Sequence, residues 1–95
     1  MENSIGKFKV ADTLLISNKL NLIGSLLEGN FSEGDYVLFE KDEKVLKRKI
    51  LGLGTVSNIE RKLIWALRIE CKNKIEKVSL KNWKPKFIIA NIISQ

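Results

Sequence analysis

The chain has 95 residues, enough for one domain and too few for two, and 44% are hydrophobic against 29% charged, the balance of a folded globular unit. It has no histidine and a single cysteine, Cys71, which removes the commonest acid–base side chain, an internal disulfide and a cysteine-rich zinc site. The net charge of +6 is uneven: residues 1–40 hold three lysines against six acidic residues, whereas residues 41–95 hold fourteen lysines and arginines against five. Such polarity points to an acidic partner, nucleic acid or a negatively charged protein surface, although a merely solvated lysine-rich surface accounts for it equally well.

No linker, repeat or low-complexity tract divides the sequence, so residues 1–95 read as one domain. The opening Met1–Lys7 lacks the basic-then-apolar layout of a signal peptide, and no apolar run reaches the roughly 20 residues a membrane span needs. A cytoplasmic protein with no membrane association is therefore expected.

Strand signals dominate along the chain. Segments with strand character occur at Phe8–Ser17, Leu20–Leu27, Tyr36–Glu40, Val45–Leu51, Leu63–Cys71, Glu76–Leu80 and Phe87–Ile93. Turn chemistry separates them at Ser17-Asn18, Glu28-Gly29-Asn30, Glu33-Gly34-Asp35, Lys41-Asp42-Glu43 and Lys72-Asn73. In the clearest segment Leu63, Trp65, Leu67, Ile69 and Cys71 share one face by period two, which predicts Trp65 and Leu67 in the core. Two helical readings stand as alternatives, one from Asp12 to Leu27 and a short one over Ile75–Trp83. Six to seven short strands joined by tight turns predict an all-β fold, a small closed or partly open antiparallel barrel.

Glycine spacing is the most specific feature. Gly24, Gly29 and Gly34 recur every five residues, with Leu26 and Phe31 between them and Val37 after the last. Gly29 and Gly34-Asp35 suit turns that need positive φ, and Gly24 suits a bulge or bend at a barrel corner. With Phe8, Val10 and Asp12 upstream, this segment resembles the translation-protein β-barrel, the second domain of elongation factor Tu and related translational GTPases. The likeness continues more loosely through Lys49-Ile50-Leu51-Gly52-Leu53 and Ala66-Leu67-Arg68-Ile69. Ser17-Asn18-Lys19 replaces the family's G-R-G, and Trp83-Lys84-Pro85-Lys86 replaces the glycine before its last strand. The resemblance implies a barrel that contacts RNA or a translation component. There is no G-x-x-x-x-G-K-[ST] loop and Gly52-Leu53-Gly54 is too short to cradle a phosphate, so a GTPase activity is excluded.

Catalytic candidates are few. The serines have no histidine to activate them, the Asp42-Glu43 pair sits in a lysine-flanked turn, and Cys71 ends an apolar row as a core residue would. No enzyme activity, cofactor or metal site is expected. The candidate binding residues are Lys72, Lys74, Lys81, Trp83, Lys84 and Lys86, with Lys77 among them; lysines neutralise phosphates and an exposed tryptophan stacks on a base. The alternative for Trp83 is packing over a barrel end. Lys44, Lys47, Arg48 and Lys49 form a second basic cluster, in which alternation sets Lys47 and Lys49 opposite Leu46, Arg48 and Ile50. Gathering of the two clusters on one side of the barrel would favour a binding surface. Two functions follow: a binding module for RNA or a translation component, or a protein-binding inhibitor such as an immunity protein that neutralises a bacterial toxin, with Glu28, Glu33, Asp35 and Glu40 available to a basic cleft.

Overall fold

The computed structural model describes residues 4–57, 63–83, 85 and 87–94. Six strands, β1 (Ser4–Ile16), β2 (Lys19–Gly29), β3 (Tyr36–Lys41), β4 (Lys44–Ser57), β5 (Leu63–Ile69) and β6 (Ile88–Ile93), close into an antiparallel barrel in the order β1-β2-β5-β4-β3-β6. One helix, α1 (Lys74–Asn82), lies between β5 and β6. The predicted all-β closed barrel is thus the observed fold. Among the described residues no helix is long and apolar enough to cross a membrane.

Local chemistry explains the turns. Ser17 and Asn18 adopt φ of 51° and 63°, and Asp42 and Glu43 adopt 52° and 66°. Two consecutive positive φ values make the two-residue hairpin turn whose twist matches the flanking strands. Ser17-Asn18 therefore turns the chain without glycine, and the helical reading of Asp12–Leu27 gives way to the β1–β2 hairpin.

Period-two alternation fills the lumen with Phe8, Val10, Leu20, Leu22, Val37, Phe39, Ile50, Leu67, Ile69, Ala90 and Ile92, all buried. Leu67 is fully buried as predicted; Trp65 points the same way but is only half-buried, packed against the edge of the core. It lies at one mouth of the barrel, where the loop after β2 inserts Phe31. The Phe31 ring meets Trp65 edge-on at 4.9 Å and Phe8 at 6.2 Å.

Two glycines make this closure possible. At Gly24 a Cβ would fall 1.8 Å from the Lys9 carbonyl oxygen, so β1 and β2 could not approach. The register shift that bends the pair sits opposite, between Val10 and Asp12 on β1. Gly29 has φ of 76°, and a Cβ there would lie 2.1 Å from the Ile5 carbonyl oxygen. Gly34, with φ of 99°, and Asp35 form the turn that launches β3, where the buried Asp35 carboxylate accepts the Ser32 N–H at 2.9 Å. Before β6, where a glycine is missing, Phe87 itself takes a positive φ of 55°.

The segment Glu76–Leu80 is helix and not strand, which corrects the strand reading and agrees with the alternative of a short helix over Ile75–Trp83. Val78 and Leu80 alternate as in a strand, but Asn73 and Glu76 provide a stronger helix-start signal. The Asn73 side chain accepts the Glu76 N–H at 2.8 Å and caps the first turn.

Leu67→Ala should cost on the order of 2–5 kcal/mol, because the site is closed on all sides and leaves a cavity. Gly29→Val should lower the melting temperature well beyond a surface substitution, since it adds both left-handed strain and overlap with Ile5. Urea and thermal unfolding followed by circular dichroism read both; a loss below about 1 kcal/mol in Leu67→Ala would mean that the lumen does not depend on it.

Candidate functional site

The mouth opposite Phe31 is closed by α1. Its outward face leaves Ile75 and Val78 exposed, while Leu80 is fully buried in the core cluster. The fully enclosed Thr13 hydroxyl donates to the Leu80 carbonyl at 2.7 Å and lies 3.2 Å from the Trp83 carbonyl, so the last helical turn is tied to β1. Trp83 follows as a half-buried ring stacked on Phe39, with centroids 5.6 Å apart and planes at 20°. Its indole packs over the barrel end, with one face of the ring taken by Phe39.

An ion pair holds the other end of the helix. Arg48 emerges from β4 on the same side as Leu46 and Ile50, and its guanidinium donates twice to Glu76, at 2.6 Å and 2.7 Å. The side chains are only 19% and 16% exposed, so this bidentate contact is shielded from water. The Lys72 N–H also donates to Glu76 at 3.3 Å. Hydrogen bonding from Arg48, ahead of the opposing cost of burial, holds the Glu76 carboxyl below the usual carboxylate range, and the same bond raises the Arg48 pKa. Burial pushes the Cys71 thiol up, which keeps it protonated and unlike an activated nucleophile.

This latch brings the two basic clusters together. Lys47 and Lys49 from β4, Lys72 from the loop before α1, and Tyr36 from β3 line one shallow groove of about 270 Å³ together with Arg48 and Glu70. Lys47 Nζ stands 4.6 Å from the centre of the Tyr36 ring. Lys49 and Lys72 are exposed to solvent. Lys74 and Lys77 line the adjoining groove with Lys19, Asn73 and Cys71, and Lys81 is exposed in the last helical turn. Lys84 and Lys86 lie outside the described residues. Of the candidates read from the sequence, Lys72 joins the main groove, Lys74 lines the adjoining one, Lys81 is exposed in the last helical turn, and Trp83 packs on Phe39. Lys47 and Lys49 belong to the second basic cluster read from the sequence, whereas Tyr36 was not singled out and gave no signal beyond its place at the start of a strand.

Compared with known proteins, the chain matches no family model, no curated protein and no solved structure.

The latch makes stability depend on acid. A carboxylate whose folded pKa is depressed adds stability above its unfolded value of about 4.3, and that stability is lost as pH falls from there through the lower folded value. Glu76→Gln should cost on the order of 1–3 kcal/mol at neutral pH and flatten the acid limb of the stability profile. Urea unfolding of both proteins across an acid series checks this; parallel profiles would remove Glu76 as the responsible group.

Proposed function

We propose that this chain is a non-enzymatic, stand-alone binding barrel whose basic groove engages RNA, alone or within a component of the translation machinery. The observation that carries the reading is the convergence of Lys47, Lys49 and Lys72 beside Tyr36, from segments distant in the sequence, onto one groove. Lysines gathered on one groove can neutralise phosphates, and the tyrosine sets an aromatic ring beside them. The +6 charge draws an anionic ligand toward the groove. The glycine pattern at 24, 29 and 34, similar to that of elongation factor Tu's second domain, agrees with this partner class.

A second reading is a protein-binding inhibitor of the immunity type. Ile75 and Val78, exposed one turn apart on α1 among lysines, favour it as an apolar contact for an acidic protein surface. A basic partner is supported less: Asp35 is buried in its own turn, which leaves Glu28, Glu33 and Glu40 without it.

Fluorescence anisotropy with a single-stranded RNA oligonucleotide over a salt series separates the two. On the RNA reading affinity falls steeply with salt, and replacing Lys47, Lys49 and Lys72 together with Gln reduces the slope of log K against log salt by roughly two to three units. An unchanged slope contradicts the groove as the RNA site. Recovery of one protein partner from lysate, equal with and without nuclease and resistant to moderate salt, would place the inhibitor reading first.

A further inference from the structure

Strand β4 changes partner midway. Lys44–Lys49 pairs with β3, and the half from Ile50 to Ser57 pairs with β5. Ile50 is the last residue of β4 tied on the other side: its N–H donates to the Asp35 carbonyl at 2.8 Å and its carbonyl accepts the Gly34 N–H at 2.9 Å. Among the described residues, no strand lies along the second edge of Leu51–Ser57. A closed barrel thus carries one projecting strand with a free ladder edge.

Exposed edges are normally blunted by lysine, proline or an inward charge, because their unpaired N–H and C=O groups template pairing with another chain. Within Leu51–Ser57 itself there is no lysine, proline or other charge, although Arg68 of β5 lies across Gly52 and Glu33 lines the groove beside Leu51–Thr55. Residues 50–59 form the longest charge-free run of the sequence, in a chain that is 29% charged. The other long neutral runs, over 20–27 and in the segment that carries β6, belong to strands paired on both edges. The edge is also accessible. Leu51 and Leu53 are 39% and 40% exposed, Thr55 is exposed, and the small Gly52 and Gly54 alternate with them.

We propose that Leu51–Ser57 is a dimerisation edge that pairs antiparallel with the same strand of a second copy. An antiparallel pair of identical strands is related by a two-fold axis, so one edge supplies both halves of a closed interface. Charge selects the place. Two copies at +6 repel one another, but across this strand every facing residue is drawn from Leu, Gly, Thr, Val and Ser, so the paired strands bring no charge of their own. Leu51 and Leu53 add apolar area beside the backbone ladder, and the two glycines let the strands approach without obstruction. The proposal is independent of the RNA reading, since the groove lies on the β3 side of β4 and is complete in one chain.

Sedimentation velocity over a wide dilution series of the full chain tests it. The expected mass moves from two chains toward one on dilution. Leu53→Lys and Thr55→Lys, each at an exposed position, should raise the dissociation constant by about tenfold or more, since each sets like charges against a two-fold partner. Their circular dichroism and melting temperature as dilute monomers should match the parent. A parent that sediments as one chain at every concentration, as it would if the edge served an extended segment of another protein, overturns the proposal. So does association of both lysine variants at the strength of the parent.

Discussion

A six-stranded barrel has two mouths, and the one beside Thr13 is closed by a single short helix fixed at both ends. Leu80 fills the opening and the Thr13 hydroxyl takes its carbonyl, while at the other end Glu76 holds Arg48 through two short hydrogen bonds. Neither anchor is replaceable by the helix's own propensity, because nine residues are too few for a helix to persist unaided. The position of the segment from Lys72 to Trp83 depends on these contacts. Lys72 reaches the groove of Lys47 and Lys49 because Glu76 is drawn to β4, and Trp83 lies on Phe39 because Leu80 is drawn inward.

The barrel was legible because its governing residues act locally. Gly29 and Gly34 turn the chain at positive φ, Ser17-Asn18 and Asp42-Glu43 form tight hairpins, and the alternating row through Leu67 and Ile69 fills the lumen. The helix was harder to see. Val78 and Leu80 carry a period of two, yet only Leu80 is buried, so their spacing reflects one plug residue and one exposed side chain. Asn73 followed by Glu76 held the opposing signal, a helix cap with an acidic residue three places on. Trp65 was legible in direction but not in depth: alternation sets the face, whereas distance from the barrel mouth sets the burial.

The basic groove shows why composition alone placed charge without locating it. Lys72, Lys74, Lys77 and Lys81 are contiguous in sequence but radiate from a helix and its leading loop, so only part of that set faces one groove. Lys47 and Lys49 join Lys72 through tertiary contact, which no local pattern records. One residue did give notice: Arg48 is the cation on the Leu46 and Ile50 side of β4, and a charge on an inward-facing row calls for a partner. That partner, Glu76, is the acidic residue within the basic stretch. What looked like an interruption of a cationic tract is the contact that orients it.

One basic groove lies at the helix-closed side of the barrel, and it is the proposed RNA site. Amide chemical-shift mapping of the uniformly labelled protein, titrated with a short single-stranded RNA at low salt, tests this most directly. The groove predicts the largest shifts at Tyr36, Lys47–Lys49 and Glu70–Lys72, with smaller ones along the first turn of α1 and none in the β1–β6 ladder. Shifts centred on Lys9, Phe87 and Ile89, or no shifts at RNA in large excess, would contradict it.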